Sequence, residues 1–435
     1  MVIKAFCGYI CFKIRLLTLF FYNIFLGLYF VGVRIASWQS KKARLWLAGR
    51  RGIFEQIEQW KNSFSIHEKI IWLHCASLGE FEQGRPIIEQ IKTDYPSYKI
   101  LLTFFSPSGY EVRKNYSGAD GIFYLPHDGK INANKFIEIV KPSLVIWVKY
   151  EYWYYYLTTL KQKKIPIVLV SAIFRESQIF FKWYGGLWEK ILQSFDKIFV
   201  QNEQSISLLK SIEMSKNAAI AGDTRFDRVI AIAENKTALP DALVQFCNNK
   251  KVIVAGSTWE EDEEELVHYA RTHEQIKLII APHEIDEERL LGIKKMFKNA
   301  IYFSELIKEN MNAQVIIIDN IGMLSSLYEL AAVAYIGGGF NDSGIHNILE
   351  AAVYGKPIIF GPIYEKFSEA VDLVDVEGAF SIENALELET LLDKLLGDVE
   401  LQKSTSIISK KYVYEKQGAT NIIVNYLYEK RLLTN

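Results

Sequence analysis

Hydrophobic positions along this chain fall into two regimes. The first is a single block, in which Leu16 to Val33 run for 18 residues without a charge (LLTLFFYNIFLGLYFVGV). A helix crossing a bilayer core needs about 20 apolar residues, so the block reads as a membrane anchor at the short end of that range. It is too long for a secretory signal peptide, and no small-residue cleavage site follows it. A buried helix of the first domain is the alternative reading.

After the block the pattern changes. Short, nearly all-apolar runs predict strands at Ile70–His74, Ile100–Phe104, Leu144–Val148, Ile167–Ser171 and Lys197–Gln201. Amphipathic stretches such as Gln83–Thr93 and Asn132–Val140 lie between them. A second series follows at Val252–Gly256, Leu278–Ala281, Val315–Ile318, Ala334–Gly337 and Pro357–Phe360. Apolar strands separated by helices predict parallel sheets covered on both faces. Two such series, joined near Gly222–Pro240, predict an α/β protein of two Rossmann-like domains. The boundaries expected are 1–45 for the anchor, 46–222 and 223–405 for the two domains, and 406–435 for a C-terminal helix that packs back.

Composition sharpens this picture in one place. The chain has 435 residues with 50% hydrophobic and 23% charged, and its 26 Gly and 10 Pro exclude collagen-like and low-complexity classes. The formal net charge of −1 argues against a nucleic-acid partner. That near-zero balance hides an asymmetry: residues 1–54 carry nine Lys or Arg and no Asp or Glu, and the rest carries 41 basic and 51 acidic side chains. Lys13, Arg15, Arg34, Lys41, Lys42 and Arg44 flank the apolar block. Positive shoulders suit anionic lipid headgroups and keep the bulk of the chain cytoplasmic. Cys7, Cys11, Cys75 and Cys247 form neither a disulfide framework nor a zinc motif, which fits a reducing compartment.

Two stretches carry candidate chemistry. Gly337-Gly338-Gly339 ends an apolar strand and leads through Asn347-Ile348-Leu349-Glu350 into a helix. Glycine turns let backbone N–H groups approach a phosphate, and a Glu one turn on can accept from a ribose diol. A purely structural glycine turn is the plain alternative. Earlier, the strand ending His74-Cys75 runs into Ser77-Leu78-Gly79-Glu80, placing a carboxylate where open α/β sheets bind ligands. Glu80 is thus a candidate general base, or else an ordinary helix-start acid. The acidic run Glu260–Glu265 reads as a solvated helix start capped by Ser257 or Thr258, and not as a metal site.

Taken in order, several motifs resemble the 3-deoxy-D-manno-octulosonic acid (Kdo) transferases. They are His74–Glu80, Leu125-Pro126-His127-Asp128, Glu151-Tyr152-Trp153, Gly222-Asp223-Thr224-Arg225-Phe226-Asp227, Ala255-Gly256-Ser257-Thr258, Ala281-Pro282-His283, Gly337–Glu350 and Gly361-Pro362. The resemblance implies a GT-B architecture, two Rossmann-like domains facing across a cleft with an N-terminal membrane-anchor helix. It implies inverting transfer of Kdo from CMP-Kdo to a lipid A precursor of the lipid IVA type, on the cytoplasmic face of the inner membrane, in lipopolysaccharide synthesis. By the same resemblance Glu80 is the general base, and Glu151 and Arg225 stabilise the transition state. CMP lies at Pro282-His283, at Ile321-Gly322-Met323 and at Asn347-Ile348-Leu349-Glu350. CMP-Kdo is a substrate, no cofactor or metal is expected, and no Asp-x-Asp clamp occurs.

Departures from the family pattern are specific. Lys149 stands where the family often has the first of two acids, and His283 replaces an arginine after the proline. Arg225 replaces a lysine, the acid expected beside Ile321-Gly322-Met323 is missing, and the Asn-Ala-Arg usual near Ser171–Arg175 is altered. Two other functions fit the same pattern: a different nucleotide-sugar GT-B transferase acting on a membrane lipid, and a non-catalytic membrane-associated nucleotide-binding module.

Overall fold

The computed structural model describes residues 2–65, 67–235 and 238–434, with side chains from residue 17 onward. Lys13, Arg15, Leu16, Cys7 and Cys11 lie outside the described side chains. The chain divides into two compact units, residues 1–228 with 418–435, and residues 229–417. The division therefore falls after Arg228 and not at 222/223. One physical reason is Asp227, whose carboxylate accepts from the N–H groups of Gly418 and Thr420 at 2.5 and 2.7 Å. That contact caps the last helix, Ala419–Glu429, which belongs to the first unit, whereas the preceding helix, Val399–Glu415, belongs to the second.

The first unit is built on seven parallel strands: β1 (Ile70–Cys75), β2 (Lys99–Phe104), β3 (Gly121–Tyr124), β4 (Leu144–Val148), β5 (Ile167–Ala172), β6 (Lys197–Val200) and β7 (Ala218–Ile220). Their spatial order is β3-β2-β1-β4-β5-β6-β7. The second unit has β8 (Val252–Thr258), β9 (Lys277–Pro282), β10 (Ala300–Tyr302), β11 (Val315–Ile317), β12 (Val333–Ile336), β13 (Ile358–Phe360) and β14 (Ala379–Ser381), in the order β10-β11-β9-β8-β12-β13-β14. Every pairing in both sheets is parallel.

Central strands such as β1 and β4 are buried along their whole length because helices cover both faces. In the first unit one face packs Trp72, Phe136, Trp147 and Tyr156. The other packs Phe81, Phe104 and Ile146 under Ala419, Ile423 and Leu427 of the last helix. Each sheet reverses its winding once, between β1 and β4 and between β8 and β12. Open α/β sheets bind ligands outside the carboxyl ends of strands at such points.

The apolar N-terminal block is helical, and Leu17–Ala36 is long and apolar enough to cross a membrane by length and composition. Its two faces differ. Leu19, Tyr22 and Leu26 pack with Leu187, Trp188, Tyr154 and Tyr155 of the first unit. The Tyr22 hydroxyl donates to the buried Asp128 at 2.6 Å, and the Tyr155 hydroxyl donates to Asn23 at 2.7 Å. The opposite face leaves Leu17, Phe20, Phe21, Ile24, Phe25, Leu28, Val31 and Ile35 exposed, a contiguous helical stripe.

Candidate functional site

Glu80 enters its site by local chain geometry. Strand β1 ends at Cys75, and the helix Leu78–Asp94 starts after Ser77, which keeps extended backbone angles. Glu80 in the first turn folds back to accept from the Ala76 N–H, and it also accepts from the backbone of Tyr150. Glu80 is buried, and burial with the nearby Glu151 charge raises its carboxyl to about 7 from the ordinary 4.5. The two backbone hydrogen bonds and Lys149 hold the rise to that value. Because β1 and β4 are neighbours, the segments that follow them, reaching Glu80 and Lys149-Tyr150-Glu151, converge at the winding reversal.

Glu151 is held by donors from two directions. His74 Nε2 lies 3.0 Å from its carboxylate, and Trp153 Nε1 donates at 2.9 Å. The other His74 nitrogen is 2.8 Å from the Thr103 hydroxyl, which itself accepts from Trp72 Nε1 at 2.8 Å. An ionised Glu151 carboxylate can only accept, which puts an N–H on His74 Nε2, and the Thr103 hydroxyl, accepting from Trp72, has its own proton to offer Nδ1. The chain of bonds holds the imidazole in place within a buried strand.

A second charged group forms around Asp223. The Arg225 side chain reaches Asp223 through Nε at 2.9 Å and Nη2 at 2.8 Å, and the Arg225 N–H donates to the same carboxylate at 2.9 Å. Gln83 Nε2 lies 3.2 Å from both Asp223 oxygens, while buried Gln83 Oε1 has no partner among the described residues. Burial works to raise the Asp223 carboxyl, but Arg225 and Lys149 overcome it and hold the group below its ordinary range. Lys149 thus acts on both Glu80 and Asp223, from a left-handed backbone (φ 52°) that non-glycine residues rarely adopt.

In the second unit, three glycines close the end of β12. A Cβ on Gly337 would strike the Ser257 carbonyl, one on Gly339 would strike the Gly361 backbone, and Gly338 has φ 91°. Asp262 organises this turn: it is fully buried and accepts from the Gly338 N–H at 2.8 Å, the Tyr335 hydroxyl at 2.9 Å and the Trp259 N–H at 2.9 Å. Glu263, also fully buried, accepts from Thr258 at 2.7 Å and Arg289 at 2.6 Å. The solvated reading of Glu260–Glu265 is therefore corrected for these two acids. The cap position is Trp259, because Ser257 and Thr258 remain in β8.

The predicted donor residues divide. His283, directly after β9, stacks between Trp259 and His346 with ring centroids 4.8 and 4.4 Å apart. Burial and then the His283 charge lower the His346 imidazole to about 4, so this ring stays neutral near pH 7. Glu350 accepts from the Ser325 hydroxyl at 2.7 Å and Asn347 Nδ2 at 3.0 Å, which ties it to the loop holding Ile321-Gly322-Met323. Ile321 is exposed and Gly322 has φ 101°. Pro282 ends β9. Ile348 and Leu349 are core residues, so their side chains are committed to packing.

The sequence reading did not assign roles to His74, Lys149, Trp259, Asp262, Ser325 or His346. A polar His74 inside an otherwise apolar strand was the one signal available for that residue. The buried Asp262 and the ring stack arise from contacts distant in sequence.

Comparison with known proteins gives a consistent result. A family model described as 3-deoxy-D-manno-octulosonic-acid transferase (kdotransferase) matches residues 48–228. A 3-deoxy-D-manno-octulosonic acid transferase from Aquifex aeolicus is 30% identical over 355 residues, covering 79% of this chain and 91% of that protein. One of the same description from Haemophilus influenzae is 25% identical over 411 residues, covering 92% and 94%. Among solved structures, a UDP-GlcNAc 2-epimerase from Neisseria meningitidis bound to UDP-GlcNAc superimposes with a TM-score of 0.59 at 16% identity, covering 83% of this chain and all of that one. This last likeness is one of α/β fold.

Proposed function

The chain belongs to the 3-deoxy-D-manno-octulosonic acid transferase family, and on that premise we propose that it moves Kdo from CMP-Kdo to a lipid A precursor with inversion at the anomeric carbon. It is a glycosyltransferase; donor, acceptor and stereochemistry are the proposal. The observation that carries it is Glu80, a buried carboxyl raised to about 7 beside Glu151 at the winding reversal of the first sheet. Such a group can take a proton near neutral pH, which a carboxylate at its ordinary value does poorly.

In this reading Glu80 accepts the proton of an acceptor hydroxyl as its oxygen attacks the anomeric carbon. The bond to the phosphate oxygen breaks and CMP leaves with the electron pair. One displacement with one base gives inversion. Positive charge developing on the sugar ring is met by Glu151, fixed by His74 and Trp153. Arg225, tied to Asp223, supplies the cation near which negative charge can gather. In the second unit, Glu350 suits the ribose diol, and the Gly337–Gly339 backbone suits the phosphate. Asp262 keeps that turn in shape.

We also assign the N-terminal helix to the surface of the inner membrane on its cytoplasmic face. A helix fastened to Asp128, Tyr154 and Trp188 on one side cannot be ringed by lipid, whereas its exposed stripe is suited to lying in the interface. The test is transfer itself: protein, CMP-Kdo and a tetra-acylated lipid A precursor in mixed micelles, with product mass as readout. A gain of one or more Kdo masses supports the proposal, and transfer from a UDP-sugar with none from CMP-Kdo overturns it.

A further inference from the structure

Arg50 is a partly buried cation with no carboxylate within pairing distance among the described residues, the Glu151 charge acting on it only from farther off. Its Nε donates to the Leu125 carbonyl at 2.8 Å, Nη1 to Trp46 at 3.0 Å and Nη2 to Phe105 at 2.8 Å. The guanidinium lies over the Trp46 ring at 3.8 Å. Three of its five N–H groups are thereby used, and two remain. Burying an unpaired charge is costly, and proteins tolerate it chiefly where a counter-charge arrives from outside.

Arg50 lines a cavity of about 360 Å³, within the range of ligand pockets. Arg34 from the last turn of the apolar helix, Arg51 from the turn after the helix Lys41–Ala48, and His127 and Asn132 complete its polar wall, and no Asp or Glu lines it. None of Arg34, Arg50 and Arg51 is paired with a carboxylate among the described residues. Trp46, on the same wall, has a buried indole N–H without an acceptor among the described residues. Burial and then Arg50 lower the His127 ring, so the charge of the pocket comes from its arginines. The Leu125-Pro126-His127-Asp128 turn, to which the proposed reaction gives no task, forms one side: its Leu125 carbonyl holds Arg50, and Pro126 and His127 face the cavity.

We propose that this pocket binds a phosphomonoester carried on a membrane lipid headgroup. Arginine forks match phosphate oxygens bidentately, and a dianion meets the charge that the protein leaves open. Arg34 stands at the end of the exposed apolar stripe, where phosphates lie if that stripe rests in the bilayer. The inference rests on the reading of that helix as a membrane anchor.

The experiment is vesicle flotation of the full chain with phosphatidylcholine alone, with phosphatidic acid added, and with phosphatidylglycerol added at equal surface charge. Wild type is expected to prefer phosphatidic acid vesicles. The R34A/R51A double variant, with both exposed side chains shortened, is expected to bind them about tenfold or more weakly while keeping its association with phosphatidylcholine and its melting temperature. K41A/R44A, which removes two nearby charges outside the pocket, is the control and should lose little. Equal loss in both double variants, or equal binding of wild type to the two anionic vesicles, overturns the proposal in favour of diffuse charge. Stabilisation by inorganic phosphate that R34A/R51A abolishes, without any vesicle preference, assigns the pocket to a soluble anion and overturns the lipid source. No association of wild type with any vesicle overturns the anchor reading and the inference with it, a result separate from the transfer assay.

Discussion

Replacing Glu80 by Gln keeps the size of the side chain and its ability to accept from the Ala76 N–H, but removes the proton acceptor. With the carboxyl at about 7, roughly one molecule in eleven is ionised at pH 6 and about ten in eleven at pH 8. Wild-type transfer at saturating substrates should therefore fall about tenfold between pH 8 and pH 6. A carboxylate at 4.5 would lose only a few per cent over that span. The same group leaves a mark on stability. Its folded value lies above its unfolded one, so the folded state binds more protons between pH 4.5 and 7, and stability is lost as pH rises through that window. The cost is roughly 3 kcal/mol at pH 8 and under about 1 kcal/mol at pH 5. E80Q should thus lose transfer by about a thousandfold or more, yet melt several degrees higher than wild type at pH 8, with a much smaller gain at pH 5. Product mass and calorimetry on the same preparations read both quantities. Transfer by E80Q within about tenfold of wild type, or an acid limb below about pH 5.5, refutes the role given to this carboxyl.

Four further expectations follow from the same geometry. Lys149→Glu replaces a charge that lowers Glu80 by one that raises it, so the acid limb of the transfer profile should move to higher pH. Glu350→Ala should raise KM for CMP-Kdo about tenfold, leaving the KM of the lipid acceptor near wild type, since Glu350 is assigned to the ribose. Removal of residues 1–35 should free the protein from membranes and lower its melting temperature, because Asp128 loses the Tyr22 hydroxyl, a bond of about 1–3 kcal/mol. Transfer should survive EDTA unchanged; loss restored by added magnesium would show that a cation supplies what Arg225 and the glycine turn are assigned here.

The inner strands were legible because burial on both faces writes an unbroken apolar run into the sequence. The strands that the pattern lacks, β3, β7, β10 and β14, are the four sheet edges. Each has one unpaired side and only three or four residues, and Ile220 in β7 is exposed, so their signal fades into the loops. Glu80 was legible as a carboxylate at a strand end, and Glu151 only through the family resemblance. The acids Asp262 and Glu263 were misread, since an acidic helix start looks the same whether its side chains meet water or, as here, the turn at Gly338 and the Arg289 side chain. The glycine run was legible as a turn, but its partners, Ser257 and Gly361, are brought to it only by the parallel sheet. Tyr154 and Tyr155 form part of the seat for the N-terminal helix, a contact that joins segments far apart in sequence.

Asp227 and the helix it caps set an order of events during synthesis. Residues 229–417 are all synthesised before Ala419–Glu429, so the earlier unit waits through the whole of the later one for the cover over Phe81, Phe104 and Ile146. The unit begun first is completed only after the later one, and until residues 419–429 emerge it presents an uncovered oily sheet face to the cell. A stop codon a few residues after Lys416 would leave that face bare permanently, which makes the last helix a checkpoint for whether a newly made chain survives proteolysis.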